Sequence, residues 1–225
     1  MRDLRGAIPE PVLEVCRALE ARGHRAWVVG GCIRDLLRGH PVSDWDLATS
    51  ALPEEVQRTF ARTIPTGIEH GTVTVLHRDE AYEVTTLRGE GAYSDGRRPD
   101  QVELGVDIDE DLARRDFTVN AIAYDPLTQE TVDPWGGIAD LEAGLLRAVG
   151  DPRERFGEDG LRVLRAARFA ATLGFDLHGD THAAIPGSLG TFRKVSPERT
   201  GKQCTSTCTY SRLPTARVMT FLCGE

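Results

Sequence analysis

Apolar positions along the chain fall into runs of two different periods. Val12, Leu13, Val15, Cys16 and Leu19 recur at helical spacing, which predicts an amphipathic helix over 10–21 with Gly23 as its stop. Residues 24–29 carry the β-branched and aromatic side chains of a short strand. Gly30 and Gly31 then form a turn, and 32–38 read as a helix closed by Gly39. Residues 43–47 alternate polar and apolar, so Asp44 and Asp46 are expected on one face of a strand. Pro53 opens a further helix that runs to Phe60. Strands over 71–77 and 81–87, separated by Arg78, Asp79 and Glu80, predict a meander. Residues 88–100 are rich in glycine and arginine without apolar periodicity and read as a mobile loop. A helix over 109–123, a turn over 133–137 and a short helical and strand-like piece over 141–149 follow. The clearest helical pattern in the chain then runs from Glu158 to Gly174. Beyond residue 200 no period survives. The sum is an α+β fold, with a small mixed or antiparallel sheet flanked by helices over 1–140 and an α-helical region over 141–199.

Composition places this chain among soluble globular proteins: of 225 residues, 40% are hydrophobic and 28% charged. No apolar run approaches the ~18 residues that span a bilayer, which argues against a membrane protein. Asp3, Pro9 and Glu10 stand where an export signal would be apolar, so a cytoplasmic location is expected. Five cysteines in such a chain do not form a disulfide framework. Cys16 and Cys32 read as buried thiols, and Cys204, Cys208 and Cys223 lack the spacing or histidine partners of a zinc site. The formal charge of −8 divides into −10 over residues 1–200 and +2 over 201–225. Acidity on that scale still admits a phosphate-bearing ligand where a divalent cation supplies the local positive charge.

Several residue sets carry candidate chemistry. Asp44 and Asp46 have a spacing that suits divalent ions clamping a triphosphate, against the alternative of a solvated strand face. Gly30 and Gly31, at a strand-to-helix turn, would let backbone amides approach phosphate oxygens, with Arg34 following on the first helical turn; a plain tight turn is the alternative. Arg115 and Asp116 could hold a phosphate and a ribose hydroxyl, with Asn120 one helical turn along, or form surface ion pairs. Asp159 and Arg162, three apart on a helix, offer acceptors and donors to a base edge. Arg165 and Arg168 extend that stripe towards a triphosphate or a primer, or pair with Glu158. Glu83 is a candidate third carboxylate beside the aspartates.

Residues 28–39 together with 43–49 resemble the first motif of the polymerase-β-like nucleotidyltransferases, and more narrowly of the class II tRNA nucleotidyltransferase and bacterial poly(A) polymerase family. Residues 112–121 resemble that family's ribose-recognition motif, 133–137 with Asp140 and Leu141 its hinge motif, and 155–169 its nucleobase-recognition motif. The resemblance covers roughly 25–180. It implies a nucleotidyltransferase head over 1–140 and a helical neck for base recognition over 141–199. It implies Mg²⁺ held by a catalytic pair, Asp44 and Asp46, beside which Glu83 stays the candidate third carboxylate, and CTP, ATP and the tRNA 3′ end as partners. Asp159 and Arg162 would imitate Watson–Crick pairing to cytosine or adenine. Residues 66–75 and the loop 88–99 resemble the branch that adds a complete CCA end. The alternatives are poly(A) polymerase activity or nucleotide binding without tRNA-dependent turnover. Residues 195–199 still resemble the start of a neck helix, but from Thr200 the likeness stops. Residues 200–225 are expected to be irregular, from a shifted reading frame, an aberrant gene end or a cloning scar.

Overall fold

The computed structural model describes residues 4–89, 103–192 and 195. The tail 200–225, residues 196–199 of the neck-helix start and most of the loop over 88–100 lie outside the described residues. The chain divides into two compact units. The first takes Met1–Gly91, Gln101–Arg115 and Val119–Gly137; the second takes Ala92–Asp100, Asp116–Thr118 and Ile138–Glu225.

The first unit carries α1 (Leu4–Ala7), α2 (Glu10–Glu20), β1 (Ala26–Val29), α3 (Gly31–Arg38), β2 (Asp46–Thr49) and α4 (Pro53–Thr59). Then come β3 (Thr63–Gly67), β4 (Thr72–His77), β5 (Glu80–Thr86), α5 (Ile108–Ala113), β6 (Ala123–Asp125) and β7 (Glu130–Val132). Among the described residues the strands form a seven-stranded sheet in the order β3-β4-β5-β2-β1-β6-β7. Only the β2–β5 pair is parallel, so the expected α+β fold with a mixed sheet and flanking helices is what the chain adopts. The apolar stripe of α2 is buried as its periodicity requires, with Val12, Val15, Cys16 and Leu19 fully inaccessible. Burial pushes the Cys16 thiol up to about 12 and the Cys32 thiol up to about 11, which makes both inert packing groups at neutral pH. Pro53 stands in the first turn of α4, where Glu55 accepts the Leu52 N–H at 2.7 Å.

Two expectations over residues 43–123 need correction. The strand holding the aspartates begins at Asp46, so Asp44 precedes it in irregular backbone instead of sharing a strand face. The β1–β2 register stops at Val28↔Leu47 because β1 ends in the turn at Gly30, and β5, although it reaches back to Glu80, pairs with β2 only from Asp46↔Glu83 onward. The helix over 109–123 ends at Ala113, and Thr118–Asn120 form a separate 3₁₀ turn. The intervening backbone is spoken for: Asp116 accepts the N–H of Phe117 at 2.8 Å, and the Thr118 N–H reaches the Arg147 carbonyl at 2.9 Å.

The second unit holds α6 (Gly137–Ala143), whose first residue belongs to the first unit, β8 (Leu145–Leu146), α7 (Pro152–Glu158), α8 (Leu161–Leu173), β9 (Asp176–Leu177) and α9 (Gly179–Phe192). β8 and β9 pair in parallel. The helix expected from Glu158 starts three residues later, because Asp159 leaves helical backbone and accepts the Leu161 N–H at 2.9 Å. Gly160 caps α8, and α9 runs on through Pro186. Among the described residues no helix is long and apolar enough to cross a membrane.

Candidate functional site

In the first unit the site is built on the turn from β1 into α3. Gly30 has φ 73° and ψ −129°, a region closed to most side chains. A Cβ placed there would lie 2.8 Å from Arg115 Nη1, so the turn needs glycine on two independent grounds. Gly31 begins α3, whose N-terminal amides provide the positive end of a helix of two turns. Arg34, on the first turn of α3, is buried and donates from Nη1 to Asn120 Oδ1 at 2.8 Å and from Nε to Asp35 at 3.0 Å. Arg115 reaches the Asn120 carbonyl with Nη1 at 3.3 Å. Gly30, Arg34, Arg115 and Asn120 therefore form one continuous cluster, although Asn120 is brought there by the 3₁₀ turn and not by a helix shared with Asp116.

The carboxylates follow from sheet register. Asp46 opens β2 and pairs directly with Glu83 on β5. Asp46 is exposed as a residue, but the surrounding chain takes enough water from its carboxyl to push it above its ordinary value, and the neighbouring Glu83 pushes it further; Arg115 opposes and Asp44 adds to the rise. Asp46, Glu83 and Asp44 thus form one negatively charged group, with the Arg115 cation close enough to be felt. Asp44 is exposed and accepts the Ser43 hydroxyl at 3.0 Å.

Among the described residues no three histidine, cysteine, aspartate or glutamate side chains converge into a ready-made metal cage. Mg²⁺ does not require one, since it is commonly held by one or two carboxylates and completed by water and substrate phosphates. Asp46 and Asp44, hard oxygen donors whose mutual repulsion a cation would relieve, fit that mode.

One organising residue escaped the sequence reading. Asp111, on α5, is only 1% exposed and accepts Arg114 Nη2 at 2.7 Å, Arg115 Nη2 at 3.0 Å and the Arg88 N–H at 3.3 Å. Burial alone would raise its carboxyl, but Arg114 and Arg115 hold it below the ordinary value. Its i, i+3 and i, i+4 spacing to two arginines was the available signal.

The remaining candidates stand in the second unit. Asp116 is buried, and its Oδ2 accepts Arg165 Nε at 2.6 Å, an ion pair between residues 49 apart. Arg165 and Arg168 both lie over the Phe169 ring, at 5.1 and 4.4 Å from its centroid. Arg165 pairs with Asp116, whereas the sequence offered Glu158. It is Arg162 that takes Glu158, and it also donates to the Arg155 carbonyl at 3.0 Å. Asp159 sits in the break between α7 and α8, so the expected arrangement of Asp159 and Arg162 along one helix gives way to a loop residue beside a helical one. In the hinge motif, Asp133 accepts the Gly137 N–H at 2.6 Å in the first unit. In the second, Asp140 accepts the Thr118 hydroxyl at 2.7 Å and Arg147 Nε at 2.9 Å.

Comparison with known proteins bears on this geometry. The poly A polymerase head domain matches residues 26–147. The CCA-adding enzyme of Lactiplantibacillus plantarum is 49% identical over 191 residues, 85% of this chain and 46% of that protein. The CCA-adding enzyme of Enterococcus faecalis is 50% identical over 185 residues, 82% of this chain and 45% of that protein. The chain therefore spans about half the length of the curated relatives it matches. Among solved structures, the Bacillus stearothermophilus CCA-adding enzyme in complex with CTP superposes with a TM-score of 0.86 at 39% identity, over 96% of this chain and 52% of that one. A tRNA nucleotidyltransferase complexed with a primer tRNA and an incoming ATP analog gives 0.71 at 30% identity, over 85% and 55%.

Proposed function

Since the chain belongs to the poly A polymerase head domain family, we propose that it is the nucleotidyl-transferring part of a CCA-adding enzyme, which extends tRNA 3′ ends from CTP and ATP without a nucleic-acid template. The observation that carries this reading is the pairing of Asp46 with Glu83 beside a cluster of Gly30 and Arg115. Negative groups able to hold a cation thus stand next to a phosphate-binding turn and a fixed arginine.

The α3 amides at the Gly30–Gly31 turn and the Arg115 guanidinium bind and orient the triphosphate. Arg34, held by Asn120 and Asp35, keeps the start of α3 in place. Asp44 and Asp46 would hold Mg²⁺, with Glu83 supporting Asp46. When bound, Mg²⁺ supplies positive charge to the reacting phosphate and to the tRNA hydroxyl. The tRNA 3′ hydroxyl gives up its proton to water as its oxygen forms a bond to the α-phosphorus, the bond from that phosphorus to the β-bridging oxygen breaks, and pyrophosphate leaves. Taken by itself, the second unit offers the Asp116 carboxylate, fixed by Arg165, to a ribose hydroxyl, which favours NTP over dNTP. Asp159 and Arg162 read the base edge, and the Glu158 and Arg155 contacts restrict the rotamer of Arg162. A site built to hydrogen-bond one base edge leaves its own groups unpaired against a wrong base.

The test is incorporation of labelled CTP and ATP, singly and together with Mg²⁺, into tRNA lacking its 3′ end, beside Asp44→Ala and Asp46→Ala. Addition of CC and then A, lost in both variants, supports the reading. Long tails from ATP alone would make this a poly(A) polymerase, and CTP binding without incorporation would reduce the chain to a nucleotide-binding unit.

A further inference from the structure

Every buried donor of an arginine is expected to find an acceptor, yet Arg115, a half-buried residue, departs from that rule. Its Nη2 is taken by Asp111 and its Nη1 by the Asn120 carbonyl, while its Nε–H is buried with no hydrogen-bond partner among the described residues. A buried donor left unpaired costs free energy, so the contacts that Arg115 does make have to hold it in place against that cost. That donor belongs to the guanidinium that stands 2.8 Å from where a Gly30 Cβ would be. The arginine is consequently pinned at two of its three nitrogens and spare at the third.

Asp111 does the pinning from the far side. Its carboxylate divides its work: Oδ2 takes Arg115, while Oδ1 takes Arg114 and the Arg88 N–H. Arg114 Nε in turn donates to the Arg88 carbonyl at 2.9 Å. Arg88 itself stands in a short antiparallel stem, bridged to Leu104 and continued by Gly89 N–H to the Glu103 carbonyl at 2.9 Å and Gly105 N–H to the Leu87 carbonyl at 2.8 Å. One buried carboxylate thereby connects this stem to the arginine at the glycine turn.

Building on the function proposed above, we infer that Asp111 is a positioning residue for triphosphate binding, which fixes Arg115 so that its guanidinium is held beside Gly30 before the nucleotide arrives. Asp111 touches no substrate. It acts by removing the rotamer freedom of a long cation and by balancing that cation's charge before the anion arrives.

The experiment compares the full chain with Asp111→Asn, Arg115→Ala and the double variant. Two readouts are used: affinity for CTP by calorimetry, and the exchange rate of the Arg115 Nε–H with water by ¹⁵N NMR, its signal assigned by its loss in Arg115→Ala. In the wild type that proton is expected to exchange slowly, and in Asp111→Asn quickly. CTP affinity should fall about tenfold in Asp111→Asn, the low end for losing a group that orients a ligand-holding side chain. In the Arg115→Ala background the same substitution should have no further effect. A merely structural aspartate would lower the melting temperature and leave the Nε–H exchange and the cycle additive. An Arg115 Nε–H as protected in Asp111→Asn as in the wild type overturns the inference, whether or not CTP binds. Absence of CTP binding by the wild type overturns the proposed function instead, and leaves the exchange comparison to decide the role of Asp111.

Discussion

Replacing Gly30 with alanine tests the phosphate turn at its tightest point. The backbone there, at φ 73° and ψ −129°, costs a non-glycine residue about 1–3 kcal/mol. The added methyl would also meet Arg115 Nη1 at 2.8 Å, against a comfortable separation of about 3.5–4.0 Å. Arg115 must retreat by about 1 Å, and its Nη1 bond to the Asn120 carbonyl, already 3.3 Å long, cannot survive that. Misplacing a charged donor of this kind is worth about 1.5–3 kcal/mol, or roughly 10- to 150-fold in CTP affinity. Gly23→Ala is the control: it also has a positive φ, of 86°, but nothing lies within 4 Å of its added methyl. Both variants should melt at lower temperature, at roughly 2–4 °C per kcal/mol for a chain of this size. Only Gly30→Ala should lose CTP in calorimetry. If both variants bind CTP as the wild type does, Arg115 at the turn is no phosphate ligand and the site has been misread.

Asp46 has a raised folded-state pKa, so the folded chain binds its proton more tightly than the unfolded chain, and its ionisation destabilises the fold above that pKa. Asp46→Asn should therefore melt higher than the wild type at pH 7, and the advantage should fade as pH falls through the raised value towards 3.8. Mg²⁺ should raise the melting temperature of the wild type and not of the variant; an equal rise in both would remove Asp46 from the metal site. In the second unit, Asp116→Ala breaks the buried end of the pair with Arg165, whose side chain is 31% exposed, and after allowance for that exposure should cost about 1–2 kcal/mol in urea unfolding. A change below about 0.5 kcal/mol would show that the pair contributes no net stability. Gly160→Ala would put a methyl 2.6 Å from the Phe192 backbone, and should cost about 1–3 kcal/mol or more because a helix backbone cannot step aside as a side chain can. Gly157→Ala, with open space around it inside α7, should instead stabilise by about 0.5–1 kcal/mol, and the two substitutions moving in the same direction would contradict the packing described.

What could be read from the chain beforehand divides along a physical line between local and non-local causes. Glycine stops, proline starts and the apolar stripe of α2 act within a few residues, and the elements they define formed where expected. The Asp44 and Asp46 alternation is local too, yet how far β2 extends depends on its neighbours: β1 turns off at Gly30, and β5 pairs with β2 only from Glu83. Short strands such as β3, an edge strand carrying Pro65, and β7 have too little pattern of their own to be seen. The same division runs through the site. The hold of Asp111 on Arg114 and Arg115, and of Glu158 on Arg162, lies within one helical turn of spacing and was legible in principle. The pair of Asp116 with Arg165 spans 49 residues, and the pairing of Asp46 with Glu83 requires a parallel crossover; neither has a signature in spacing. The candidate chemistry of Asp46 rests on that crossover. A carboxylate that reads as one of two on a solvated strand becomes, once β5 lies beside it, a member of a repelling group whose charge a cation can balance. Its chemistry is thus set by the topology of the sheet more than by the motif that contains it.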